Sequence, residues 1–245
     1  MDIGSILLTI RSVDRAPRKN YLDATLRSLV ERGVDPASIH VVLGDPEIRW
    51  LPAVAWSHAV LHFASRRFTA NENGLRQIDL LEQHDAEWIL LTEDDLAWCD
   101  RPLASVRAWL AAHATPDRLV YRFFTFGPML RVSAHAAEAP LKEQKGSQAV
   151  ALRAADARRF AAWARRVGPN WRPKGAPFQD RPHDGFDKLI GYWALHDNPR
   201  TTTGLVSRPF FVRHLGVESS IHSHGLRRDD LFAGERWSYP PGEIA

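Results

Sequence analysis

Trp88-Ile89-Leu90-Leu91-Thr92-Glu93-Asp94-Asp95-Leu96 is the stretch on which the reading of this chain turns. An unbroken aliphatic row predicts a strand buried on both faces, since a half-exposed strand would alternate apolar with polar residues. That strand runs straight into three carboxylates. Neighbouring acids repel one another and lose hydration beside a sheet, so their charge must be compensated. A hard divalent cation is the simplest compensation, because Mg2+ and Mn2+ prefer oxygen ligands and commonly share them with phosphate. In open α/β sheets ligands bind beyond the carboxyl ends of the strands, where this triplet falls. The competing reading is a solvated acidic turn with Asp94 or Asp95 capping the next helix. An isolated triplet does not decide between the two.

Working outward, Ser5-Ile6-Leu7-Leu8-Thr9-Ile10 predicts the first strand of a parallel sheet, ending in a basic loop over residues 11–19. Leu22, Thr25, Leu26 and Leu29 fall at helical spacing, and Gly33 closes that helix. Ile39-His40-Val41-Val42-Leu43 is the second strand, followed by Gly44-Asp45-Pro46. Strand, crossover helix and strand make a right-handed βαβ unit. The basic loop is placed to meet a diphosphate and Asp45 to meet a ribose or base, although no glycine-rich phosphate loop or dinucleotide fingerprint occurs. Residues 47–70, with Trp50, Trp56, His58, His62 and Phe63, are expected to form a loop and short helix under the sheet. Asn71-Glu72-Asn73-Gly74 reads as a turn, and residues 75–84 as a helix feeding the acidic strand.

Beyond the acids, Arg101-Pro102 opens a helix with Leu103, Val106, Trp109 and Leu110 inward, and residues 119–124 form a further strand. Residues 133–147 read as a mobile segment near the substrate, and residues 148–152 as a short strand before an Arg- and Ala-rich helix at about 154–167. The proline-rich residues 169–182 predict an ordered loop or lid, and 183–193 a loop entering a helix that Asp184 caps. Residues 207–220 read as a last strand followed by a polar loop.

The chain has 245 residues, 44% hydrophobic and 25% charged, enough for one large α/β domain and too apolar for wholesale disorder. Its net charge is +3, with arginines scattered in pairs such as Arg66-Arg67 and Arg227-Arg228. That pattern suits a small anionic substrate or solvated helix faces, and nucleic acid is not an expected partner. The lone Cys99 excludes an internal disulfide and any cysteine-based zinc cluster, leaving it a packing role. The N-terminus lacks the basic and apolar regions of a signal peptide, and no apolar run reaches the length of a membrane span. A soluble, cytoplasmic protein is the expectation.

Several of these stretches, in this order, resemble the nucleotide-sugar glycosyltransferases of the GT-A fold, most of all the N-acetylglucosaminyltransferase IV type. The resemblance lies in Tyr21-Leu22, Thr25-Leu26 and Ser28-Leu29, in Val41-Val42-Leu43, in Glu93-Asp94-Asp95, and in Arg208-Pro209-Phe210-Phe211 with His214-Leu215-Gly216 and Ser219-Ser220. It is weakest across residues 47–70 and 128–182. It implies a single Rossmann-like α/β domain over residues 1–245, with a mostly parallel central sheet flanked by helices. Residues 1–100 would be the nucleotide-sugar-binding half, and 101–245 the acceptor-side half and C-terminal tail. The implied reaction moves a hexosyl unit, GlcNAc or a related hexose, from a UDP-sugar to the hydroxyl of a glycan or other acceptor. Inversion is implied as well, with Mn2+ or Mg2+ stabilising the diphosphate as it departs.

On that resemblance Glu93-Asp94-Asp95 is a DXD-like motif. Asp95 ligates the metal together with His214, Asp94 meets a metal-bound water or the donor's ribose and sugar, and Glu93 supports the sheet end. An inverting transfer needs a base within reach of the attacking hydroxyl. Asp184, then Asp187, occupy the expected region, where both could equally serve as cap and first-turn acid of a helix. Thr9, Arg11, Asp45 and Arg76 complete the nucleotide-sugar-binding set. Two other classes use comparable residues. A metal-dependent phosphoesterase or nuclease would need a second cluster, for which His183-Asp184 and His222/His224 are at hand. A non-catalytic nucleotide- or carbohydrate-binding domain would keep the fold without the chemistry. A glycoside hydrolase fits less well, because adjacent acids on one strand end do not flank a sugar ring.

Overall fold

The structure, a computed structural model, describes residues 3–12, 21–46, 58–125, 129–142, 148–168, 185–199, 201–215, 231–234 and 236–239. In chain order its elements are β1 (Ile6–Ser12), α1 (Leu22–Val30), β2 (Ile39–Leu43), β3 (Val60–Phe63), α2 (Ala70–Asp79), β4 (Trp88–Glu93), β5 (Leu96–Trp98), α3 (Pro102–His113), β6 (Tyr121–Arg122), β7 (Ala136–Pro140), β8 (Ala149–Arg153), α4 (Ala154–Val167), α5 (Phe186–Asp197), β9 (Thr203–Ser207) and β10 (Val212–His214). Eight strands join in one sheet in the order β3-β2-β1-β4-β8-β6-β9-β7, and β5 pairs with β10 in a second. The first four strands of the large sheet are mutually parallel. Strand β8 then runs antiparallel to both β4 and β6. Beyond it β9 is parallel to β6 and antiparallel to β7. Strands β4, β6 and β9 therefore all end at the same edge as β1.

The alternation of side chains divides the core in two. Leu8, Ile10, Leu90, Ala151 and Tyr121 face α1 and α3, where Leu26, Val106 and Trp109 complete one layer. Leu7, Ile89, Leu91, Val150 and Leu152 face α2, α4 and α5, with Ile78, Phe160 and Trp193. A buried ring of this size removes ~150–250 Å² from water, roughly 4–6 kcal/mol before entropy is counted. Cys99 is part of the first layer, and burial pushes its thiol up to about 12, as suits an inert packing residue. No described helix is long and apolar enough to cross a membrane.

Five expectations change. Residues 58–70 do not make a helix: β3 occupies them as an edge strand, half exposed at Val60 and Phe63, so it carries no buried pattern to betray it. Trp50 and Trp56 lie outside the described residues. Asn71-Glu72-Asn73-Gly74 is the first turn of α2 instead of a separate turn. The Thr69 hydroxyl accepts from the Glu72 amide at 3.3 Å and the Glu72 carboxylate accepts from the Thr69 amide at 2.8 Å, so the helix starts earlier than its apolar residues do. Gly74 sits there because a Cβ would come within 2.6 Å of the Phe186 ring. The segment expected to be mobile contains β7, registered against β9 from Ala136 opposite Ser207 to Pro140 opposite Thr203; residues 143–147 lie outside the described residues. The closing strand divides into β9 in the large sheet and β10 in the small one. Finally, the residue capping α5 is Gly185; Asp184 and the proline-rich stretch 169–182 lie outside the described residues.

One cluster makes stability depend on pH. His40 Nδ1 lies 3.1 Å from His62 Nε2, and the His84 ring stacks edge-on at 4.4 Å from that of His40. Burial, then the charges of His84 and His62, lower His40 to about 4. Burial, His84 and Arg76 lower His62 as well. The folded state thus binds fewer protons than the unfolded chain once pH falls below about 6.5. Urea denaturation should show stability declining from about pH 6.5 to about pH 4, by roughly 2 kcal/mol or more, and His40→Gln should flatten that slope.

Candidate functional site

The site grows from the end of β4. Glu93 donates its amide to Gln148 O at 3.0 Å, and the chain then leaves the large sheet. Helix α1 catches it. The Thr25 hydroxyl donates to Asp94 O at 2.8 Å and accepts from the Leu96 amide at 2.9 Å, while Ser28 Oγ accepts from the Trp98 amide at 2.8 Å. Two polar residues on the buried stripe of α1 therefore do the hydrogen bonding that a neighbouring strand would otherwise do. On its far side β5 pairs with β10, with His214 opposite Leu96. The Leu215 amide donates to Asp95 O at 2.7 Å. Strand β10 is held in register by Phe210 and Phe211, both fully buried, whose rings lie 5.2 and 5.3 Å from those of Phe124 and Phe123.

Each of the three acids has its own counterpart. Arg11 stands opposite Glu93 in the ladder and forms an ion pair with it. The Arg11 guanidinium also lies over the Phe186 ring, 4.9 Å from its centre, which ties the start of α5 to the end of β1. Ser12 Oγ donates to Asp94 Oδ2 at 2.6 Å, and Asp94 is 1% exposed. His214 Nε2 lies 3.0 Å from Asp95 Oδ2. These contacts gather Arg11, Glu93, Asp94, Asp95 and His214 at one edge of the sheet.

The remaining predicted residues distribute differently. Thr9 is interior: its hydroxyl donates to Leu90 O at 3.1 Å and accepts from Gln77 Nε2 at 3.1 Å, so it locks β1, β4 and α2 together. Asp45 follows β2, is 7% exposed and lies 3.3 Å from Arg67 Nε. Arg76 is on the exposed side of α2, 3.4 Å from Asp79 in the last turn, and does not join the acids. Asp187 occupies the first turn of α5. Ser219, Ser220, His222 and His224 lie outside the described residues.

Arg122 is the residue that sequence reading missed. It is 1% exposed on β6, donates to Ala139 O at 3.1 Å and more weakly to Thr125 Oγ1 at 3.5 Å, and its Nε has no hydrogen-bond partner among the described residues. Burial lowers it to about 10, against which the Asp187 charge pulls it back up. A single charge inside the apolar run Leu119-Val120-Tyr121-Arg122-Phe123-Phe124 was the available signal, since a buried charge demands a counter-charge.

Among the described residues no group of three or more His, Cys, Asp or Glu side chains is arranged to hold an ion. Asp95 and His214 nevertheless offer an oxygen and a nitrogen donor 3.0 Å apart. Two neighbouring ligands at ~2.1 Å from one octahedral cation stand about 3 Å apart. Such cations take one or two protein ligands and fill the other positions with phosphate oxygens and water. The pair fits a Mg2+- or Mn2+-type ion bound together with a diphosphate.

Neither a protein-family model nor a curated protein sequence matches this chain. Solved structures do. GalNAc-T7 with UDP, GalNAc and Mn2+ superposes with a TM-score of 0.55 at 9% identity, over 84% of this chain and 42% of that one. TarS of S. aureus has a TM-score of 0.48 at 14% identity, over 83% of this chain and 34% of that one. CMP:2-keto-3-deoxy-manno-octonic acid synthetase complexed with CTP has a TM-score of 0.47 at 11% identity, over 82% and 88%. This chain therefore spans less than half of the GalNAc-T7 and TarS chains. At such identities likeness speaks for fold alone. The GalNAc-T7 superposition, with the topology above, establishes a GT-A, Rossmann-like α/β fold.

The Thr25 clamp is testable. Thr25→Val should leave the Asp94 carbonyl and the Leu96 amide unsatisfied in a buried place and cost about 1–3 kcal/mol. Thr25→Ser, which keeps both bonds, should recover most of that loss; urea midpoints report both.

Proposed function

We propose that this protein is a metal-dependent nucleotide-sugar glycosyltransferase that moves a hexosyl unit from a UDP-sugar to an acceptor hydroxyl. The observation that carries this reading is the Asp95–His214 pair, two donors 3.0 Å apart at the carboxyl edge of the sheet. Ligands of open α/β folds bind at that edge. The likeness to GalNAc-T7, a structure holding UDP, GalNAc and Mn2+, supports it at the level of fold. The finer assignment is GlcNAc or a related hexose transferred with inversion, as in the N-acetylglucosaminyltransferase IV type. The run Arg208-Pro209-Phe210-Phe211 with His214-Leu215-Gly216 supports it. Residues 1–100 would carry the donor, and 101–245 the acceptor, a glycan or other hydroxyl compound.

In this reading Asp95 and His214 hold Mn2+ or Mg2+, which when bound offsets the charge that develops on the departing diphosphate. Asp94, fastened to Ser12, aims the loop that presents Asp95. Arg11, held by Glu93 and Phe186, offers a fixed cation at the end of β1. Asp45 and Arg67 border the end of β2 on the nucleoside side. Of the two candidate bases, Asp187 lies in the first turn of α5, where its charge acts on the buried Arg122. A general base must take up a proton in the transition state. Asp184 is the first choice for that base and Asp187 the second.

Calorimetry with UDP and GDP, each with and without Mn2+, tests the donor site. UDP should bind at least tenfold more tightly with the metal, and Asp95→Ala or His214→Ala should remove that gain. UDP affinity unchanged in both variants would take the pair out of the metal site. Turnover of the nucleotide sugar so identified should fall about 100-fold or more in Asp184→Asn, whereas Asp187→Asn should chiefly lower the urea midpoint.

A further inference from the structure

A cleft opens at the same edge of the large sheet, away from the acids. It has a volume of about 430 Å³ and is lined by Ser133, Ala134, Arg208, Pro209 and Leu231. Arg208 follows directly on β9, which ends at the carboxyl edge together with β4 and β6. Three strand spacings separate β9 from β4, roughly 14 Å. Arg208 is tethered through its own backbone, its amide donating to His135 O at 3.0 Å. Its guanidinium has no hydrogen-bond or ion-pair partner among the described residues.

The surroundings of that cation are built rather than random. Ser133 turns the chain by donating its hydroxyl to Ala136 O at 2.8 Å, and the Phe210 amide donates to Leu231 O at 2.7 Å, closing the opposite wall. Just before Ser133 in the chain, Leu130 and Val132 are 48% and 47% exposed, and Arg131 between them adopts a left-handed backbone with φ of 44°. A non-glycine residue in that region marks a loop whose shape is imposed by its surroundings. Ala134, Pro209 and Leu231 flank Arg208 in this cleft. The planar guanidinium suits phosphate or carboxylate through two parallel hydrogen bonds.

We propose that this cleft is an acceptor subsite in which Arg208 receives a phosphate or carboxylate group carried by the acceptor, away from the hydroxyl that reacts. The inference rests on the transferase reading for the word acceptor, while anion binding at Arg208 can be measured without it. Titration of the full chain with glucose 6-phosphate, glucuronate and glucose, followed by NMR in saturating UDP and Mg2+, keeps the donor site occupied. One or both anionic sugars should bind and glucose should not; the tighter of the two identifies the group as phosphate or carboxylate. Arg208→Met should weaken that binding at least tenfold and Arg208→Lys should keep part of it, with UDP affinity unchanged in both. Equal binding of glucose and the anions, no binding of either anion, or full anion binding by Arg208→Met would overturn the proposal. Asp95→Ala should lose metal-dependent UDP binding and retain the anionic sugar. If UDP fails to bind the unaltered protein, the transferase reading falls while the Arg208 result stands on its own.

Discussion

Three consecutive carboxylates cannot end a buried strand unless each is given something to interact with, and the molecule meets that requirement from three directions. Arg11 comes from the neighbouring strand, Ser12 from the residue after it, and His214 from the second, smaller sheet. Removing one member of a buried charged pair typically costs several kcal/mol, because the other is left uncompensated. The acids thus constrain more than a ligand site. They dictate the register of β1 against β4, the docking of α1 beneath the loop, and the return of the chain to pair β10 with β5.

The same demand recurs a few strands away. Arg122 is buried where water cannot solvate it, and Asp187 supplies the opposing charge from the first turn of α5. Phe186, next to that aspartate, lies beneath Arg11 and against Gly74 of α2. One helix start therefore meets strand β1 and helix α2, and its aspartate acts on the charge buried on β6. Inserting β8 antiparallel between β4 and β6 is what allows this, since it carries the chain across the sheet and brings a later parallel pair alongside the acidic edge.

Much of the fold was legible where burial is two-sided or strongly periodic. The aliphatic rows of β1, β2 and β4, the stripe Leu22, Leu26, Leu29 of α1 and the span of α4 follow from local pattern. The elements that escaped share one trait: their residues are chosen by neighbours, not by periodicity. Strand β3 is half exposed at an edge; β7 is built largely of alanine; β5 and β10 are three residues long and exist only because they pair with each other. The start of α2 was hidden by Asn and Gly, residues that usually mark turns but here follow a Thr69–Glu72 capping box. Among the candidate site residues, Thr9 has its hydroxyl engaged inside the sheet, which the local sequence did not reveal.

By itself the sequence determined the class of fold, the strand that carries the acids and the presence of a histidine near the closing strand. Those features depend on side-chain polarity read along a few successive residues, which local pattern preserves. Only the tertiary structure decided which acid meets which partner, that the charge of Asp187 acts on Arg122, and that Arg208 lines a cleft. These pairings join residues far apart in the chain, and they are set by strand order and register, which no local periodicity encodes.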